Sequence, residues 1–400
     1  MKRLLLILLL LVTFLYASDT DYLKKDIAYL SSEVCFGRSL NRNGIFKAEN
    51  YIISELERAG LDVSLQPVTY KLNMVIETPV CVLNGDTLDA AYDYIPHPFS
   101  KSTDKLYSGT EIEYVDSARL ATVQIKHDLP SLSSARRFLI RKSKKKDRQK
   151  LLLLNSDYPL ISRQSDQYPR AAVQVNQEFL DENPQSIYMF NKTEFKKVRT
   201  NNIISVIPGS ETPDSSICFS AHYDHMGALG DIYYPGANDN ASGVAVLMSL
   251  ARYYAENPPP MTLVFCFFTG EEQGLKGSWR YVRKPAFPLK KTLLAINLDM
   301  VGSGSDGYGI VGGNELPQEV SIFEDIREKL DIGDLKLRPN KPNSDHFPFT
   351  HKGVPALFFY SSGGEQPYHH PDDVMETMDW EAVENTLRMM KEFIKRKIKE

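Results

Sequence analysis

The sequence has no excess of positive charge: 47 Lys and Arg against 51 Asp and Glu leave a formal net charge of -4. A nucleic-acid partner is therefore not expected, because phosphates must be met by a basic surface. It holds only four cysteines, Cys35, Cys81, Cys218 and Cys266, and none has the close spacing of a thiolate zinc site. An even number permits disulfides in a chain that leaves the cytoplasm. Cys218 and Cys266, however, lie within apolar runs that read as core strands, where a free buried thiol is the plain outcome. After the first residues there is no apolar run long enough to cross a bilayer.

The first residues differ from the rest. Met1-Lys2-Arg3, the apolar run 4–16 and the small pair Ala17-Ser18 follow the order of an export signal: positive start, apolar centre, small residues. Residues 1–18 are expected to be a signal peptide, the mature chain to be exported, and no stable membrane span to remain. The remainder, with 42% hydrophobic and 24% charged residues over the whole chain, is ordinary for a folded protein with a sizeable core.

Residues 22–60 carry helical periodicity, with Ala48, Tyr51, Ile52, Leu56 and Ala59 on one face before Gly60. From 61 to about 116 the pattern becomes short alternating segments punctuated by Asn, Gly and Pro, which predicts strands, and alternation continues through 121–125. The basic stretch 133–150 reads as a solvated helix face ahead of the apolar strand 151–154. Residues 65–195 are expected to form an inserted segment, mostly β with one helix, between catalytic-domain pieces 19–64 and 196–400. From 202 onward strands and helices alternate, and the strands are almost continuously apolar. That pattern predicts an α/β fold with a mostly parallel central sheet covered by helices on both faces.

In such sheets, ligands bind outside the carboxyl ends of the strands, so the residues after each strand carry the functional argument. Strand 217–221 runs into His222-Tyr223-Asp224-His225, strand 262–268 into Thr269-Gly270-Glu271-Glu272, and strand 293–298 into Asp299. Strand 354–360 precedes Tyr368-His369-His370, and Asp239 lies in the loop before the helix at 241–256. Singly, each has a plain reading as a loop residue, a helix start or a cap. Together they bring two imidazoles and three carboxylates to one sheet edge. Those donors suit zinc, and their number exceeds the needs of one catalytic ion, so a pair sharing a carboxylate is expected. Consecutive side chains in an extended turn diverge, so Glu272 can ligate while Glu271 faces the attacking water as general base. The stretch Gly302-Ser303-Gly304-Ser305-Asp306-Gly307 matches a dinucleotide fingerprint but opens no helix, and a nucleotide cofactor is rejected.

Six stretches, SAHYDHMG at 220–227, GANDNASG at 236–243, TGEEQGLKGS at 269–278, NLDMVG at 297–302, NSDHFPF at 343–349 and YHHPDD at 368–373, resemble the co-catalytic zinc exopeptidases of metallopeptidase family 28. GRSLNRNGIFKAENYI at 37–52 resembles the same family's opening helix. The resemblance implies two zinc ions, one held by His222 and Asp299, the other by Glu272 and His369, with Asp239 bridging. It further implies Glu271 as base, Tyr368 as oxyanion donor, Asp224 as the acid orienting His222, and His346 near the site without ligating. The stretch YPRAAVQVNQEFLD at 168–181 resembles part of a protease-associated domain. The expected activity is removal of N-terminal residues from peptides, resting on resemblance. A carboxypeptidase or glutaminyl cyclase on the same scaffold, and a binding relative without catalysis, are the alternatives.

Overall fold

The computed structural model describes residues 18–128, 132–142, 144–156, 159, 161–162, 167–180, 184–364 and 367–397. The expected signal peptide at 1–18 falls almost wholly outside them. Within the described residues no helix is long and apolar enough to cross a membrane.

An eight-stranded sheet organises the chain, in the order Ser64–Val75, Thr193–Ile207, Met261–Phe268, Thr212–His222, Thr292–Leu298, Ala356–Ser362, Gly307–Val311, Asp334–Arg338. The four central strands run parallel; antiparallel pairings join Ser64–Val75, Thr193–Ile207 and Gly307–Val311, and the edge strand Asp334–Arg338 lies parallel to Gly307–Val311. Every residue of Met261–Phe268 is buried, because alternate side chains serve two cores. Leu263, Phe265 and Phe267 meet the helices Asp19–Ser31, Gly44–Arg58, Gly243–Glu256, Pro317–Leu330 and Trp380–Lys397. Val264, Cys266 and Phe268 meet the shorter helices Lys276–Arg283 and His346–His351 on the other face. The predicted α/β class is the observed one.

The helical reading of 22–60 resolves into two helices, Asp19–Ser31 and Gly44–Arg58, because the intervening turn sets Phe36, Arg38, Arg42 and Asn43 at positive φ, which no helix accommodates. The segment expected as 65–195 also divides. Its end strand Ser64–Val75 pairs along its whole length with Thr193–Ile207, and both belong to the large sheet. Between them lie two four-stranded sheets, Asp86–Leu88, Val80–Leu83, Ser186–Asn191, Thr103–Ser108 and Tyr94–Pro96, Ala172–Asn176, Leu151–Ser156, Ile112–Val115. The alternation at 121–125 is helical instead, within Ser117–Lys126. Asp116 caps that helix through the Arg119 amide, and Leu120 packs against Ile140 of the helix Leu132–Lys142 while Ile125 stays 81% exposed. Five residues are too few for the period to decide. All four cysteines are free and buried. Cys218 and Cys266 touch as thiols on adjacent strands, 3.8 Å apart.

Candidate metal centre

The carboxyl ends of the parallel strands form one wall of a cleft of about 620 Å³. His222 is the last residue of its strand, Asp299 follows Leu298, and the turn Thr269–Glu272 follows Phe268. That turn needs Gly270, at φ +69, where a Cβ would lie 2.9 Å from the Tyr70 ring. The Asp224 carboxylate accepts the Glu271 amide at 3.2 Å and so holds the turn against the His222 strand. Asp239 comes from the turn Ala237–Ser242, ahead of Gly243–Glu256. His369 enters from the loop after Ala356–Ser362, in a left-handed backbone conformation with φ 52.

Asp239 stands in the middle. Its Oδ1 is 3.4 Å from His222 Nε2 and its Oδ2 is 3.3 Å from His369 Nε2. Asp299 Oδ1 lies 3.3 Å from the same nitrogen of His222, and Glu272 Oε1 lies 3.4 Å from that of His369. The far nitrogen of each ring meets a main-chain carbonyl: His222 Nδ1 donates to Asp224 at 3.1 Å, His369 Nδ1 to Ile161 at 3.0 Å. With the proton on Nδ1, each Nε2 turns a lone pair towards carboxylate oxygens. Such an arrangement is favourable only with a cation between the donors or a second proton on the ring. Donors at about 2.1 Å from a tetrahedral ion lie about 3.4 Å apart, so the residues fit divalent ions. Among the described residues, donor atoms gather in three groups able to hold a cation: His222 with Asp239 and Asp299, His222 with Glu271 and Glu272, and His225 with Asp239 and Glu272.

Burial alone would depress the two imidazoles. Asp299, Asp239 and Glu271 instead hold His222 well above its ordinary range, and Glu272 and Asp239 push His369 up to about 10. Burial raises Glu272, yet His369 and His225 bring it down to about 2. Glu271 goes the other way: burial lifts it well above the carboxylate range, His222 opposes, and Glu272, Asp345 and Asp299 add to the rise. Two adjacent acids are thus driven apart, one held as an anion and one favouring its proton, as is common where acid and base roles are divided.

The structure brings His222, Asp239, Glu271, Glu272, Asp299, Tyr368 and His369 onto the cleft wall. Tyr368 stacks on His369 at 3.7 Å and is 43% exposed. Asp224 meets His222 Nδ1 through its carbonyl, at 3.1 Å, while its carboxylate is 4.0 Å away and serves the Glu271 turn. His346 sits behind the wall, bonded to Asn340 Oδ1 at 3.1 Å and packed on Phe358.

Four residues escaped the sequence reading. Ser344 Oγ donates to Asp299 Oδ2 at 2.7 Å and is itself held by Asn297. Asp373 accepts the amides of Asn238 and Asp239 at 2.8 and 3.0 Å. Arg38, fully buried, donates to the carbonyls of Leu30, Tyr223, Pro235, Gly236 and Asp239 at 2.7–3.0 Å. His225 is buried with Nδ1 3.3 Å from Glu272 Oε1, and burial holds it down to about 4, so it faces the cluster neutral. Only His225 had a sequence signal, its place three residues after His222.

The carboxyl edge of this α/β sheet thus gathers imidazoles and carboxylates into groups able to hold divalent cations. Residues 202–394, just under half of the chain, match the model of Peptidase family M28. Over 201 residues it is 31% identical to Aminopeptidase YwaD of Bacillus subtilis, a match spanning 48% of this chain and 43% of that protein. Over 129 residues it is 40% identical to a probable zinc metalloprotease of Pyrenophora tritici-repentis, spanning 32% of this chain and 29% of the relative. The chain thus matches less than half the length of these relatives. Among solved structures it resembles an aminopeptidase from Aneurinibacillus sp. strain AM-1, with TM-score 0.68, 22% identity and 94% and 93% of the two chains covered. A glutaminyl cyclase of Porphyromonas gingivalis shares the fold at TM-score 0.53 and 16% identity, covering 94% and 98%.

Proposed function

We propose that the chain is an exported di-zinc exopeptidase that removes N-terminal residues from peptides. The observation that carries the reading is Asp239, whose two oxygens each face the Nε2 of a different imidazole at 3.3–3.4 Å. In this reading His222 and Asp299 would hold one ion, His369 and Glu272 the other, and Asp239 would serve both. When bound, such ions polarise a scissile carbonyl and bring water towards ionisation near neutral pH. Glu271, beside the ligands but facing the cleft, takes the proton from the attacking water and passes it to the leaving amine. The Tyr368 phenol, on the same wall, donates to the developing oxyanion. The segment between 76 and 192 braces the site as a protease-associated-like module, through the Ile161 carbonyl on His369. Export rests on the charge and apolar pattern of residues 1–18.

The test compares a free-amine aminoacyl anilide with its N-acetyl form and with peptides trimmed from the carboxyl end. Hydrolysis of the free amine alone is the expected result. Cleavage of the blocked substrate would refute an aminopeptidase, and release of ammonia from N-terminal glutamine without hydrolysis would mark a cyclase.

A further inference from the structure

The cleft continues past the ligand cluster along the strands Ala356–Ser362, Gly307–Val311 and Asp334–Arg338. Register places Phe358, Val311 and Arg338 in one row across the three strands, with Tyr360 opposite Gly309. A Cβ on Gly309 would stand 2.0 Å from Tyr360 Cζ, so only glycine lets that ring lie over the strand and pave the wall beside Phe358, 5.5 Å away between ring centroids. The paved wall ends at Arg338 and Lys341, both exposed on the cleft. Among the described residues neither makes an ion pair with a carboxylate of the protein. The remaining carboxylates on the cleft, those of Asp239, Glu271, Glu272 and Asp299, stand with the imidazoles of the ligand cluster, and none of them pairs with Arg338 or Lys341. What is left uncompensated is the pair of cations.

We propose that this end of the cleft is a subsite for a substrate carboxylate, with the aliphatic stem on Phe358, Tyr360 and Val311 and the carboxylate between Arg338 and Lys341. The proposal rests on the exopeptidase reading and names its substrate class: peptides that carry a carboxylate within about one residue of the scissile carbonyl. That group is either the side chain of an acidic N-terminal residue or the terminal carboxylate of a dipeptide. Arginine and lysine at the end of an apolar channel favour both for the same reason, a charge-assisted hydrogen bond in a partly desolvated site.

Zinc-loaded full-length protein is assayed on the anilides of glutamate and glutamine, and on Leu-Gly against Leu-Gly amide. Binding of the same four compounds is measured by calorimetry to zinc-loaded Glu271→Gln, where turnover is suppressed. Within one pair the carboxylate member is expected to be favoured about tenfold or more, the factor for one charge-assisted bond. A preference for the glutamate anilide identifies the side chain as the source, and a preference for Leu-Gly identifies the carboxyl terminus. In Arg338→Ala/Lys341→Ala the ratio within the favoured pair should fall to about one, and Arg338→Lys should keep most of it. Using the ratio removes any general loss of activity from the reading. Equal rates and equal binding within both pairs would overturn the subsite while leaving the exopeptidase reading intact. Absence of all hydrolysis with carboxylate-selective binding retained would do the reverse.

Discussion

Arg38→Lys tests how the metal-ligand turn is held in place. The guanidinium is fully buried and reaches five carbonyls, on the first helix's end, the His222 strand's exit and the turn that carries Asp239. An ammonium offers three donors from one point where the guanidinium offers five in a fork. At least two of the five carbonyls therefore lose their partner in a place without bulk water. At about 1–3 kcal/mol for each orphaned buried acceptor, the loss is about 2–6 kcal/mol, a large part of the 5–15 kcal/mol that separates folded from unfolded in typical domains. Asp239 shares that network through its carbonyl, 2.8 Å from Arg38, so freeing the turn should also weaken metal retention about 10–100-fold. Urea unfolding of the purified variant gives the first quantity, and zinc per chain after dialysis against a calibrated chelator buffer gives the second. A midpoint equal to that of the parent protein, with full zinc content, would refute the bracing role. Lost zinc with an unchanged midpoint would confine the role to the turn.

Glu271→Gln should keep its zinc and its melting temperature while kcat falls about 10²–10⁴-fold, the usual contribution of a general base; undiminished turnover would reject that role. Ser344→Ala removes the hydroxyl at 2.7 Å from Asp299 Oδ2 and should weaken zinc affinity about 10–100-fold, read by competition with a chelator, while leaving the fold's circular dichroism unchanged. The four cysteines should resist alkylation in the native protein and react in denaturant, because all are buried and burial lifts Cys35 to about 11 and Cys81 to about 12. Mass spectrometry counts the adducts, and modification of the native chain at pH 8 would contradict the packing.

The parallel sheet was legible because its strands are almost wholly buried on both faces, so Met261–Phe268 and Thr292–Leu298 read as nearly continuous apolar runs whatever their neighbours. The same logic placed the donors, since the residue after such a strand must emerge at the carboxyl edge. The helix at Ser117–Lys126 was not legible, because a short window of mixed residues carries both periods and Leu120's contact with Ile140 decided between them. Likewise the boundary near 65 and 195 was hidden, because Ser64–Val75 joins the large sheet only through the sequence-distant Thr193–Ile207, which pairs in turn with Met261–Phe268.

By itself the sequence determined the α/β class and which side chains stand at the carboxyl edge, since both follow from local pattern and chain direction. Only the tertiary structure decided how those side chains face one another. That Asp239 divides its oxygens between His222 and His369, that Arg38 and Asp373 secure its turn from opposite ends of the chain, and that Ile161 of the inserted segment orients His369 are contacts that, except for the 17 residues between His222 and Asp239, reach across 130 to 208 residues. No periodicity encodes such contacts, because a hydrogen bond depends on distance and angle in the folded chain.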